Sequence, residues 1–192
     1  MADQIVQAVP DAIINRPFDE PTKHWRYLES GPYEASGRRP ASYYFTTQRT
    51  GDAQTDLLSA MEGSDDLPLV NRLREDVRRW READYRGASE VTKDLLRHWS
   101  NPTRSRRLFF CQREAVETII YLLELRIPNR SSRTGFKNFE CSDEDIQRLL
   151  AGEKPKWDLT DTSIYPKLLD QPSDPSMIGL CRLGCKMATG AG

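Results

Sequence analysis

The amino-acid sequence predicts an α/β fold, and two kinds of observation lead to that class. Between Leu67 and Leu125 the apolar residues recur at the three- and four-residue spacing of helices, with charged residues between them. Two other stretches, 42–47 and 178–187, have the composition of strands. We therefore expect a helix-rich chain with short strands near its beginning and near its end.

The first 66 residues contain many prolines and glycines and show little periodicity. Because these residue types interrupt regular structure, we expect loops and short extended pieces here. The exception is Ser42–Thr47 (SYYFTT), whose aromatic and β-branched side chains favour a strand. The segment 1–66 is thus predicted to be mostly irregular, with one short strand near 42–47.

Residues 67–107 predict a basic helical hairpin. The first helix is expected over about 68–83, and the turn 85–87 ends it. Ser89 then caps a second helix, which ends before Pro102 because proline disfavours helical geometry in the residue before it. The apolar faces of the two helices comprise Val70, Leu73, Val77 and Trp80, and Val91, Leu95, Leu96 and Trp99.

Charge is distributed unevenly along the chain, although the net charge is only -1. Residues 72–107 hold 11 basic and 6 acidic side chains, a net charge of +5. Such a segment could contact phosphates, and Arg104, Arg106 and Arg107 are candidates for binding a DNA backbone. The alternative is a solvated helix face that carries more arginine than glutamate.

The third helix is predicted over Gln112–Leu125, and residues 128–177 follow as a polar insertion. The helix carries a broad apolar stripe that must be buried against a large surface. In the insertion, Ser142 is expected to cap a short helix whose first turn is acidic, as suits the helix dipole. The stripe consists of Ala115, Val116, Ile119, Ile120 and Leu123.

Composition excludes several classes of protein. No stretch approaches the roughly 20 apolar residues that a membrane helix needs, and residues 1–10 lack the layout of a secretory signal. We therefore expect a cytoplasmic protein with no membrane partner. The four cysteines, Cys111, Cys141, Cys181 and Cys185, show no CxxC pairing, so we expect reduced thiols and no metal site.

The last residues of the sequence, Gly184–Gly192 (GCKMATGAG), follow the apolar run 178–187, which is read as a buried strand. Small residues after a strand are typical of a phosphate-binding loop, because consecutive backbone N–H groups then line a concavity. In the pattern GxxxxGK[ST], Gly192 would be the last glycine, but the lysine does not follow and the first glycine would fall on Met187. A flexible tail is the alternative.

A second candidate nucleotide-binding motif lies at the start of the third helix, at Leu108–Ala115 (LFFCQREA). The amide of Gln112 can offer one donor and one acceptor to the edge of a purine. Phe109 and Phe110 precede it, so aromatic side chains also lie at the start of this helix. A glutamine at the start of a helix is by itself unremarkable.

Together these motifs resemble those of superfamily-two helicases, in which a Q motif precedes motif I of the form A-x-T-G-x-G-K-T. The displaced first glycine is usual in that family. Three further segments resemble, in the same order, the opening of DEAD/DEAH-box proteins of the type III restriction endonuclease R (Res) subunit kind. They are Ile13–Tyr27 (IINRPFDEPTKHWRY), Gly37–Phe45 (GRRPASYYF) and Leu95–Leu122 (LLRHWSNPTRSRRLFFCQREAVETIIYL).

The resemblance implies an N-terminal fragment, cut inside motif I, of a larger ATP-dependent DNA helicase or translocase subunit of a restriction endonuclease. Its fold would be a helix-rich accessory region followed, over 108–192, by the first helix and first strand of a RecA-like P-loop ATPase lobe. ATP and Mg²⁺ would be cofactors of the full-length protein, and double-stranded DNA and a methyltransferase (modification) subunit its partners. The implied nucleotide-binding residues are Phe110, Gln112, Thr189, Gly190, Ala191 and Gly192.

The motif I lysine and the motif II acids have no counterpart in these 192 residues. Phosphoryl transfer depends on such positioned charges, so no catalytic residue is implied and this chain alone is expected not to hydrolyse ATP. Two other interpretations stay open. One is a self-contained helical module that binds DNA or a protein through 72–107, and the other is a truncated product without function.

Overall fold

The computed structural model describes residues 13–28, 31–47, 61–127, 139–156 and 184–185. Over these residues the chain is a mixed α/β protein in which helices follow two small antiparallel sheets. The predicted strand 178–187 falls almost wholly outside the described residues, and so do Thr189, Gly190, Ala191 and Gly192. Gly184 and Cys185 are exposed and belong to no helix or strand.

The strands form two hairpin-like pairs. Strand β1 (Lys23–Leu28) pairs with β2 (Gly31–Ser36), with Lys23 opposite Ser36. Strand β3 (Ser42–Thr47) pairs with β4 (Met61–Asp66), with Ser42 opposite Asp66. The predicted strand at 42–47 is confirmed.

Three further short strands, β1, β2 and β4, lie in the rest of 1–66, where loops and short extended pieces without assigned positions were predicted. Strand β4 has the sequence MEGSDD, which contains no β-branched or aromatic residue. Its extended conformation therefore comes from pairing with β3 and not from its own propensity. Partner pairing of this kind leaves no signal in the sequence of the strand itself.

The helices lie close to their predicted positions. Helix α1 spans Pro68–Glu82, α2 spans Glu90–Ser100, α3 spans Phe110–Ile120 and α4 spans Asp143–Leu150. The two predicted serine caps are confirmed, since Ser89 Oγ accepts the N–H of Thr92 at 3.2 Å and Ser142 Oγ accepts the N–H of Asp145 at 3.1 Å. Helices α1 and α2 both pack on α3, and α4 packs on α1.

Helix α3 continues directly into a π-helical segment, Tyr121–Arg126. Its wider turn is closed by the N–H of Ile127, which donates to the carbonyl of Leu122 at 2.8 Å. Four of its six side chains are buried, those of Tyr121, Leu122, Leu125 and Arg126. The segment thereby extends the buried side of α3 toward Trp80, which Tyr121 contacts.

The apolar stripe predicted for the third helix is not its buried face. Glu114 and Glu117 are buried, whereas Leu123 is 45 % exposed. The remaining members of the predicted stripe, Ala115, Val116, Ile119 and Ile120, are half-buried. The reason is electrostatic: the two carboxylates are held inside by arginines from other parts of the chain, as described below.

The predicted apolar face of α2 is also only partly buried. Leu96 is buried and Trp99 is half-buried, but Val91 and Leu95 are exposed. On α1, by contrast, Leu73, Val77 and Trp80 are buried as predicted, while Val70 is half-buried. Helix α2 thus contacts the core through a narrow stripe.

The core is built around the ring of Trp80. The ring of Tyr85 meets it edge-on at 5.0 Å between centroids, and the ring of Tyr121 lies at 5.4 Å. Tyr85 follows α1 in a left-handed backbone conformation (φ 54°), which is uncommon for a bulky residue. Because Tyr85 is buried and in contact with Trp80, packing holds this turn in place.

A buried ion pair joins α1 to the π-helical segment and to the start of the α4 region. The carboxylate of Asp76 is fully buried and accepts N–H groups from Glu140 at 2.5 Å and Cys141 at 3.0 Å. The guanidinium of Arg126 lies 3.6 Å from it and donates to the carbonyl of Cys141 at 2.8 Å. Asp76 therefore fixes the path of 140–141 across α1.

We expect Asp76→Ala to lower the free energy of unfolding by about 3–5 kcal/mol, because it leaves two buried backbone N–H groups without an acceptor and removes one of the two carboxylates beside Arg126. Urea denaturation followed by circular dichroism measures this loss. Asp94→Ala, at an exposed carboxylate on α2, is the matched control and should change the value by less than about 0.5 kcal/mol. Equal effects of the two variants would contradict this account of Asp76.

We expect Cys141 to resist thiol reagents in the folded protein. Burial, together with the charge of Asp76, raises the pKa of its thiol to about 12, so almost no thiolate is present near pH 8. Cys185 is exposed and Cys111 is half-buried, so both serve as internal references. Mass spectrometry after a short alkylation pulse should find Cys141 unmodified until denaturant is added; early modification of Cys141 would contradict its burial.

Candidate nucleotide site at the start of the third helix

The first turn of α3 is organised by the side chain of Gln112. Phe109 precedes the helix in an extended conformation, and its N–H donates to Gln112 Oε1 at 2.9 Å. The next N–H, that of Phe110, donates to the carbonyl of Pro17 at 2.8 Å. These bonds satisfy two of the donors that a helix start leaves free, and they attach residues 13–20 to α3.

Two aromatic rings and one guanidinium lie beside this turn. The rings of Phe18 and Phe109 are 5.4 Å apart, and Arg107 Cζ lies 4.3 Å from the centroid of Phe18. All three side chains are half-buried, as is that of Gln112. We call these four residues, Phe18, Arg107, Phe109 and Gln112, the Gln112 cluster.

Gln112 retains hydrogen-bonding capacity in this arrangement. Its Oε1 has a second lone pair, and its Nε2 donates to no residue in the described ranges. One acceptor and one donor on a single amide match the N6 and N7 positions of adenine. The bond from Phe109 orients the amide, and the neighbouring rings offer an apolar surface of the kind on which bases stack.

Phe110, predicted to bind the nucleotide, faces a different surface. Its ring is only 6 % exposed, and the guanidinium carbons of Arg38 and Arg81 lie 5.4 and 5.2 Å from its centroid. Little of the ring is left for a base. Of the two adjacent phenylalanines, Phe109 is the one that belongs to the Gln112 cluster.

Below Phe110 lies a set of paired charges that we call the ionic network: Glu20, Arg38, Arg81, Tyr85, Arg113, Glu114 and Glu117. Its centre is Glu117, which is fully buried on α3. Arg81 Nη2 lies 2.6 Å from its carboxylate, and Arg113 Nε lies 2.8 Å from it. The hydroxyl of Tyr85 donates to the same carboxylate at 2.8 Å.

The second carboxylate of α3, Glu114, is held in the same way. Arg38, which follows β2, donates one hydrogen bond to each of its two oxygens. Glu20 lies between the two arginines, 3.8 Å from Arg38 and 3.4 Å from Arg81. The network therefore ties the segments 13–22 and 37–41 and helix α1 to the buried face of α3.

The pKa shifts in the network favour charged arginines and a neutral Tyr85. Burial lowers the pKa of Arg81, but the hydrogen bond and charge of Glu117 outweigh it and the pKa is raised. Arg38 follows the same pattern with Glu114. Burial, and then the charge of Glu117, raise the pKa of Tyr85, so its hydroxyl stays a proton donor at neutral pH.

The basic segment 72–107 is largely neutralised in the fold. Arg81 and Arg79 pair with acids outside the segment, Glu117 and Glu140, and Arg78 pairs with Glu75 and Glu82 inside it. The DNA-binding candidates differ from these. Arg106 is exposed and Arg104 is half-buried, and neither forms an ion pair with a described residue, whereas Arg107 lies on Phe18.

Sequence reasoning missed the ionic network. Phe110, Glu114, Glu117 and Tyr121 are spaced four, three and four residues apart, which is one helix face. Two carboxylates at such positions between aromatic residues were the available signal. Their arginine partners, Arg38 and Arg81, lie at least 36 residues away from them in the chain and could not be assigned by spacing.

Comparisons with known proteins give no relative for this chain: no family model matches it, and no curated protein or solved structure matches it significantly. Within the described ranges no three histidine, cysteine, aspartate or glutamate side chains are grouped so that they could hold a metal ion. No helix in the described part of the chain has the length and apolar character needed to span a bilayer.

We expect Glu117→Gln to lower the free energy of unfolding by about 3–5 kcal/mol, because it removes the buried counter-charge of Arg113 and leaves Arg81 only its longer pair with Glu20 among the described residues. Glu82→Gln breaks an exposed pair with Arg78 and should cost about 0.3–0.5 kcal/mol. Denaturant unfolding in low and high salt measures both. If Glu117→Gln lowers the free energy of unfolding as little as Glu82→Gln does, the network is not a stabilising centre.

Proposed function

We propose that the chain is the nucleotide-recognising N-terminal part of an ATP-dependent DNA helicase or translocase subunit of the restriction endonuclease kind. The observation that carries the proposal is the oriented, partly free amide of Gln112 beside Phe18, Phe109 and Arg107. In this role Gln112 contacts the edge of adenine and Phe109 supports its face. The chain by itself binds and does not hydrolyse the nucleotide.

The three segments that resemble the Res subunits also meet in space. Pro17, Arg38 and α3 belong to one segment each, and the Phe110 N–H bond to Pro17 and the Arg38 pair with Glu114 join them. Residues that are far apart in sequence thus converge on the start of α3. This convergence supports a shared role for the three segments in forming the nucleotide site.

The remaining parts of the proposal concern the full-length protein. Thr189, Gly190, Ala191 and Gly192 would cradle the phosphates at the start of motif I, in a RecA-like lobe that begins with α3. ATP and Mg²⁺ are the proposed cofactors, and double-stranded DNA and a methyltransferase subunit the proposed partners. Arg104 and Arg106, which pair with no described acid, are the residues proposed to contact DNA phosphates.

The test is selective binding of an adenine nucleotide through Gln112. We expect ADP to shift the NMR signals of the Gln112 side-chain amide and of the Phe109 N–H, and GDP to shift them less. Gln112→Ala should weaken ADP binding about 2- to 10-fold, the value of about one net hydrogen bond. Gln147→Ala, at an exposed glutamine on α4, is the matched control and should leave binding unchanged.

Equal responses to ADP and GDP, or unchanged ADP binding in Gln112→Ala, would contradict adenine recognition at this site. The fold of each variant is checked by circular dichroism. Because Gln112 Oε1 also accepts the Phe109 N–H, Gln112→Glu is a second variant that keeps this bond and removes the amide donor. If Gln112→Glu binds ADP as tightly as the unaltered chain, the amide does not read the base.

A further inference from the structure

Arg74 lies on the side of α1 that faces the ionic network. Three residues before it, Asn71 accepts the N–H of Ala41 at 2.7 Å, and seven residues after it, Arg81 binds Glu117. Residues spaced by three and seven share one face of a helix. Arg74 therefore extends from α1 between the 37–41 segment and α3, on the same side as Arg81.

Arg74 has no counter-ion of its own there. Its side chain is half-buried, yet among the described residues it donates no hydrogen bond and forms no ion pair. Of the charges around it, Arg38 lowers its pKa and Glu114 raises it. Both oxygens of Glu114 already accept hydrogen bonds from Arg38.

With Arg74 added, the ionic network holds more cations than anions. Four arginines, Arg38, Arg74, Arg81 and Arg113, stand against three carboxylates, those of Glu20, Glu114 and Glu117. Burial, and then the charge of Arg38, lower the pKa of Arg74, the opposite of the raised pKa of Arg38 and Arg81. A half-buried cation beside a second cation costs free energy unless an anion completes the set.

We propose that Arg74, with Arg38 beside it, forms a binding site for a phosphate group. The planar guanidinium of Arg74 can donate two parallel hydrogen bonds to a phosphate. Arg38 already donates two hydrogen bonds to Glu114, so it contributes its charge to the site. A phosphate carries a charge of about -1.5 to -2 near pH 7, which offsets the excess cation. This site uses no residue of the Gln112 cluster and does not rest on the proposed function.

The experiment measures the thermal unfolding midpoint of the chain as inorganic phosphate replaces chloride at constant ionic strength. We expect a rise of about 2–4 °C once phosphate exceeds its Kd several-fold. Arg74→Gln should abolish this rise, and because it removes an unpaired charge it should fold and unfold no earlier than the unaltered chain in phosphate-free buffer. Arg86→Gln, at an exposed arginine in the turn after α1, is the matched control and should keep the rise.

Pyrophosphate and a short DNA strand, used in place of inorganic phosphate, separate two sources of the group. A rise with pyrophosphate that is lost in Arg74→Gln assigns the site to a free phosphate ligand. A rise with DNA alone that is lost in Arg74→Gln assigns it to a nucleic-acid backbone, and either result supports the site. If Arg74→Gln keeps the rise, or if none of the three probes raises the midpoint of the unaltered chain, the proposal is overturned.

Discussion

The structure depends on the two buried carboxylates of α3. Glu114 and Glu117 occupy the helix face that packs inward, and a buried carboxylate is tolerated only when cations and hydrogen bonds compensate it. The compensating groups come from separate parts of the chain: Arg38 after β2, Arg81 from α1, and Tyr85 from the turn after α1. The requirement to pair these charges therefore brings the N-terminal segment, α1 and α3 together.

The same pairing explains why a basic segment need not be a nucleic-acid surface. Residues 72–107 hold a net charge of +5, but several of their arginines are directed toward acids on other elements. Charge counted along the sequence therefore overstates the charge offered to a partner. The arginines of this segment that form no ion pair with a described residue include Arg104 and Arg106, at the approach to α3, and Arg74, beside the ionic network.

The sequence predicted the helices well because their signals are local. Ser89 and Ser142 mark helix starts through their own side chains, and the spacing of Leu73, Val77 and Trp80 marks a buried face. Strand β4 and the Glu114–Glu117 face were missed because each depends on a distant partner. For the candidate site, Gln112 could be found from its place at a helix start, whereas Phe18 reaches it only through the fold.

The π-helical segment has a further consequence for substitutions within it. Its last residue, Arg126, lies opposite the buried carboxylate of Asp76. Arg126 also lies 3.0 Å from the carboxylate of Asp143, the first residue of α4. One side chain of the irregular turn thus contacts acids on two different helices. Replacing Arg126 by an apolar residue would disturb both helices at once.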